Sequence, residues 1–284
     1  MSDHHAVRGG PIGSAISAIG RAAISIGDAF TDGIRFLGAF TLLLGNTFRW
    51  LAMGLSRPSV PLRRPAIVSQ MVRIGIRAVP IIVLVQIFIG IILALQMAPT
   101  LEDYGQLDKV ANIIGVAMFR ELGPLITAVV LAGFAGASIA AELGSMVESE
   151  EIKALKAHAL NPINFLVVPR MLATVVMLIC LAVISDVVGV IGGLGTSIWI
   201  LGIDPHLYLI NTQEALVVKD FITGLVKAGV FGMLISMIAC FLGLRVSGGA
   251  EGVGRATTQT VVFSIVALIG TDCLFTAAFY ILGW

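Results

Sequence analysis

The chain has 284 residues, 57% of them hydrophobic and 12% charged, with a formal net charge of +1 and a mean hydropathy of +1.00. Soluble domains carry roughly 25% charged residues, so a water-soluble domain is excluded, and runs of 20 or more mostly apolar residues indicate a polytopic helical membrane protein. The near-neutral balance leaves no global field for nucleic acid, and Cys180, Cys240 and Cys273 sit in apolar runs with neither disulfide nor metal spacing.

The opening MSDHHAVRGG lacks the charged start and apolar continuation of a secretory signal, and no Arg- and Ser-rich transit peptide is evident. Residues 1–13 read as a disordered tail. Residues 14–55 are apolar but interrupted by Arg21, Asp28, Asp32, Arg35 and Arg49, at helical spacings that draw a polar stripe. This predicts an amphipathic helix in the membrane interface, with Phe36, Phe40, Phe48 and Trp50 toward lipid; a true span at 36–55 is the alternative. A basic, proline-broken linker covers 56–77. Five spans come next, at about 78–98, 111–141 (broken near Pro124), 163–201, 220–244 and 258–283. The expected fold class is an all-α polytopic membrane protein: an N-terminal interfacial helix, five transmembrane helices, and a short cytoplasmic helix between spans 2 and 3.

Loop charge orients the chain. The segments 56–77, 148–170 and 245–256 hold ten Lys and Arg residues, whereas 99–110 and 202–219 hold only Lys109 and Lys219. The first set is therefore assigned to the cytoplasm, with the N-terminus cytoplasmic and the C-terminus on the far side.

Small residues recur at intervals of four, at Gly133, Ala137 and Ala141, at Gly189 and Gly193, and at Gly224, Ala228 and Gly232. Such rows let helices approach closely, inside one bundle or across a dimer seam. No G-x-x-x-x-G-K-[ST], H-E-x-x-H or G-x-S-x-G occurs, so nothing argues for an enzyme. The better signal is charge inside the spans, at Arg120, Glu121, Asp186, Lys227 and Asp272. Each costs at least about 2.5–3.5 kcal/mol in hydrocarbon, so it faces protein or water. Two readings stay open: mutual pairing that fixes the bundle, or a polar lining for a head group or ions.

The stretch ELGSMVESEEIKALKAHALNP, 142–162, gathers six charges in 21 residues. Ile152, Leu155 and Ala159 share one helical face, and acids precede bases, which suits a helix dipole. Asn161 and Pro162 fit the N-cap and first position of the next helix. The segment is either a solvated connector or a helix that docks in a groove of another protein.

Residues 119–170 resemble the core of the MlaE/YrbE permease family, through R-E-L-G-P, A-G-x-x-G-A, A-E-L-G-x-M, E-E-I-x-A-L, N-P and V-P-R in order; the likeness continues more loosely from about residue 70 to the C-terminus. The family departs here at Phe134, where Arg or another polar residue is common. The resemblance implies a permease domain at 78–284 in a homodimer, in a bacterial inner membrane. It implies two copies of a separate cytoplasmic ATPase, which would hold ATP and magnesium, so no cofactor is expected in this chain. It also implies an MCE-protein oligomer on the periplasmic side. The segment 148–160 would be the coupling helix, with Glu151, Ile152, Leu155 and Lys156 docking on the ATPase. Gln96, Leu101, Tyr104, Arg120, Glu121, Leu122, Lys227 and Asp272 would line a phospholipid cavity. Import of fatty acid or sterol, or an autonomous ion-coupled transporter, are the alternatives.

Overall fold

The computed structural model describes residues 11–56 and 63–283. Most of the expected tail lies outside these residues, as do Arg57 and the side chains of Arg21, Asp28 and Asp32 in the polar stripe. All regular structure among the described residues is helical. Packing divides the chain after Asn46. Helix α1 runs unbroken over Pro11–Ser56. It contains Gly33–Gly54, which is long and apolar enough to cross a membrane, so six helical stretches among the described residues meet that standard where the sequence reading assigned five and an interfacial helix, with a span at 36–55 as the alternative.

The remaining elements form the large unit. They are α2 (Arg64–Ile74), α3 (Val79–Asp103), α4 (Val110–Ala117), α5 (Gly123–Leu131), α6 (Ala137–Glu148), α7 (Glu151–Ala157), α8 (Val168–Trp199), α9 (Pro205–Ala215), α10 (Val218–Gly243) and α11 (Gly249–Ile281). Two of them were not read from the sequence. Helix α2 occupies most of the basic stretch assigned to a linker; Pro65 sits in its first turn, where a missing N–H costs nothing, and Arg63 stacks on the Phe165 ring at 3.6 Å. Helix α9 is capped by Asp204, whose carboxylate accepts from the N–H groups of His206 and Leu207 at 2.9 and 3.1 Å.

The expected break at Pro124 is absent. Residues Leu107–Glu148 form one continuous helical run that contains two π-helical turns, Met118–Leu122 and Ala132–Gly136. In the first, the Gly123 N–H reaches back five residues to the Met118 carbonyl. That widened turn absorbs the hydrogen bond Pro124 cannot make, so the helix continues.

Helix α8 is central, packing against α2, α3, α5 and α10, while α11 lies on α6 and α10. On α3 a buried row (Ile82, Gln86, Gly90, Ala94, Ala98) steps by four residues. The opposite row, Ile81, Leu84, Phe88, Ile92 and Leu95, is exposed and wholly apolar. An apolar exterior of this kind is stable only in lipid. The buried row needs small residues: a Cβ on Gly90 would collide with the Gly189 carbonyl and come within 2.9 Å of the Gly193 nitrogen. Two of the small-residue rows are therefore seams inside the chain, Gly189–Gly193 against α3 and α4 and Gly224–Gly232 against the first π turn and α8, whereas Gly133 faces open space.

Gly90→Ala is expected to lower stability by about 1–3 kcal/mol through overpacking. Gly195→Ala, with nothing within 4 Å of an added Cβ, is expected to be neutral or stabilising; thermal unfolding in detergent distinguishes them.

Candidate functional site

The first π turn shifts the helical phase and presents Glu121 toward α10. There the Lys227 side chain is completely buried, an arrangement that requires compensation. Its ammonium donates to Glu121 Oε2 at 2.5 Å and lies 2.9 Å from Asp272 Oδ1 of α11. Thr276, one turn beyond Asp272, donates to the second oxygen of Glu121 at 3.0 Å and stands 3.3 Å from the ammonium. One cation thus joins three elements distant in sequence. The group carries one positive and two negative charges. The carboxylates are part-exposed, and Asp272 and Thr276 lie on an open, largely apolar face of α11 with Ile269, Cys273, Ala277 and Tyr280.

Of the five intramembrane charges singled out in the sequence, the structure brings three together: Glu121, Lys227 and Asp272. Arg120 turns instead to Asp220, 3.7 Å away. Asp220 also accepts from the Val217 N–H at 3.2 Å, holding the first turn of α10. Asp186 stands apart on α8: its Oδ1 is buried without a hydrogen-bond partner, packed so closely against Gly123 that a Cβ there would collide with it. The neighbouring Ser185 hydroxyl donates to the Gly123 carbonyl at 3.2 Å.

The other expected cavity residues scatter. Leu101 and Leu122 pack on the cluster of Ala94, Ile114, Met118 and Tyr208. Gln96 and Tyr104 are exposed, Tyr104 at 77%. Sequence reasoning missed Thr276 and Asp220. Thr276 lies at i+4 from Asp272, on the same helical face, and that spacing was the available signal. It also missed a second cluster. Glu142 pairs through one oxygen with Arg73 and through the other with Arg170, each at 2.9 Å. Glu142 and Arg170 belong to the A-E-L-G and V-P-R motifs, which are thus joined in space. No group of three or more His, Cys, Asp or Glu among the described residues could hold a metal ion.

The connector 149–162 is shorter and more strained than its sequence suggests. Helix α7 covers seven residues and is flanked by Glu150 and Ala159, both non-glycine residues with left-handed backbone, at φ 60° and 58°. Ala159 closes a Schellman motif: its N–H reaches the Lys156 carbonyl and the Leu160 N–H the Leu155 carbonyl, both at 3.0 Å. The expected face Ile152–Leu155–Ala159 is corrected accordingly, because Ala159 has left the helix. Ile152 and Leu155 are half-buried, and Glu151, Lys153, Ala154 and Lys156 are exposed. Lys153, 2.6 Å from Glu150, holds that carboxyl below the usual carboxylate range. The pair is therefore present at neutral pH and lost as acidification passes the lowered value. Asn161 does cap the next helical segment, its Oδ1 accepting from the Ile163 N–H at 2.9 Å.

Residues 67–278 match the family model described as Permease MlaE. The chain is 36% identical over 259 residues to a probable ABC transporter permease protein of Rickettsia felis, covering 91% of this chain and 97% of the relative. It is 29% identical over 266 residues to the intermembrane phospholipid transport system permease protein MlaE of Haemophilus influenzae, covering 93% and 97%. It is 32% identical over 212 residues to the chloroplastic protein TRIGALACTOSYLDIACYLGLYCEROL 1 of Arabidopsis thaliana, covering 75% of this chain and 61% of the relative.

Lys227→Met leaves two carboxylates uncompensated and is expected to cost about 3–5 kcal/mol in thermal unfolding; the triple variant Lys227→Met, Glu121→Gln, Asp272→Asn is expected to regain most of it in the same assay. Ala159→Gly, by relieving the left-handed alanine, is expected to add about 1 kcal/mol.

Proposed function

This chain belongs to the MlaE permease family, and from that premise we propose that it is the membrane subunit of an ABC transporter that moves phospholipid. The observation that carries the reading is the Lys227–Glu121–Asp272 group, with its lysine buried, set at a π-helical turn and bordering an open apolar face of α11. An apolar face with a few charged groups at its edge suits an amphiphile. The group's net negative charge argues against a resting phosphate site at Lys227. It fits a lock instead: Lys227 is held by carboxylates in one state and released toward a head group when the helices repack. A ligand shifts such an equilibrium only by binding the two states differently, and exchange of ion partners supplies that difference.

No phosphate loop occurs in the chain, so the energy would come from a separate cytoplasmic ATPase. We assign α7 as the coupling element. Its exposed charges would meet the ATPase, with Ile152 and Leu155 at the edge of the contact, and the two strained residues flanking it fit an element held for function rather than stability. A homodimer is proposed through α11, whose apolar window is only 11% buried by its own chain. The far side of the dimer would face an MCE-protein oligomer. The membrane would be the bacterial inner membrane, and the cargo a phospholipid in preference to fatty acid or sterol.

Leu155→Asp in the full complex is expected to abolish transport and release the ATPase while the chain still inserts; retention of the ATPase at wild-type affinity would refute docking through α7. Mass spectrometry of the purified complex is expected to show enriched phospholipid, depleted by Lys227→Met in combination with Glu121→Gln. No enrichment of any lipid would refute lipid handling at this face.

A further inference from the structure

The second charged cluster borders a pocket of its own. Between α2 and α6 lies a cavity of about 200 Å³ lined by Gln70, Arg73, Arg77, Phe134, Ser138 and Glu142. Glu142 is the single anion there, and it is shared between Arg73 and the buried Arg170. Arg73 also reaches the Ser138 hydroxyl at 3.5 Å. Arg77 makes no ion pair or hydrogen bond with any described residue. Two arginines, Arg73 and Arg77, thus line the pocket beside one carboxylate, which Arg170 engages as well. The pocket also holds an unused acceptor, since Gln70 Oε1 is buried without a hydrogen-bond partner. Buried polar atoms are seldom left so, and an unpaired acceptor beside an excess of cation calls for a ligand that carries both an anion and a donor.

We propose that this pocket binds the head group of a membrane phospholipid, its phosphate on Arg77 and Arg73 and its ammonium or hydroxyl on Gln70 Oε1. The cavity is smaller than the roughly 300–1,000 Å³ of sites that enclose drug-sized ligands, so it admits a head group and leaves the acyl chains outside. Val72, Ile76 and Phe134 lie exposed beside the arginines and would carry those chains. The place in the membrane agrees. Glu142 follows directly on the apolar stretch 111–141 and Arg77 directly precedes the one at 78–98, so the pocket sits where these spans meet the membrane interface, 21 residues along the same helical run from Glu121, roughly 30 Å at 1.5 Å per residue. The proposal requires only that the chain be embedded in a bilayer, and it stands whether or not the Lys227 group handles cargo.

The test is lipid titration of the purified full-length chain in phosphate-free detergent, read by native mass spectrometry with dioleoylphosphatidylethanolamine as probe. Arg77→Gln removes a side chain with no partner among the described residues, so folding should be retained. It is expected to weaken one class of bound lipid about fivefold, the value of one juxtamembrane cation, with Arg77→Lys restoring most of the loss. Dioleoylglycerol, which lacks the phosphate, is expected not to occupy this site, and millimolar inorganic phosphate not to displace the lipid. Equal binding by wild type and Arg77→Gln would overturn the proposal. So would equal occupancy by dioleoylglycerol, which would make the site merely apolar, or full displacement by inorganic phosphate, which would make it a site for free anions.

Discussion

Everything in the large unit is constrained by one ammonium group. Lys227 is fully enclosed in an apolar bundle, and an enclosed cation without partners costs several kcal/mol. Its two carboxylates come from the first π turn and from α11. The cation can be satisfied only if the second span, α10 and α11 are all in place. Charge here acts as a registration device for helices that have little else to distinguish one packing from another, because in lipid the hydrophobic effect gives no preference between an apolar face turned inward and one turned outward.

The packing around this group obeys the same logic. Close approach of α3, α4 and α8 rests on Gly90, Gly189 and Gly193, and dispersion and backbone proximity replace the burial that drives a soluble core. The π turns serve the register: each shifts the phase of the run without ending it, so Glu121 and Glu142 can serve separate clusters 21 residues apart. Those clusters differ in sign. The Lys227 group has an excess of anion and the Glu142 group an excess of cation. For the lipid permease proposed above, the first would be a lock that phosphate does not saturate at rest and the second an interface that attracts it.

The class, the five main spans and the short charged helix could be read from hydropathy and spacing, since these depend on local composition that no tertiary contact overrides. The family motifs were legible too, and the match of residues 67–278 bears that resemblance out. The break expected at Pro124 does not occur, because a proline reports a missing hydrogen bond, and a π turn answers that loss as well as a kink does. Helix α2 was hidden because arginine and proline read as a linker, although proline in a first turn is a helix signal.

For the site, the sequence alone settled that Arg120, Glu121, Asp186, Lys227 and Asp272 carry charge in apolar surroundings, because the cost of such a charge is a property of the residue and its neighbours in the chain. It could not settle which charges meet. Glu121, Lys227 and Asp272 are joined across more than a hundred residues, Arg120 turns to Asp220 rather than to the same group, and Glu142 takes two arginines from separate helices. Those choices depend on rotational phase, set by π turns and by glycine contacts between helices, and phase is fixed only when the whole bundle closes.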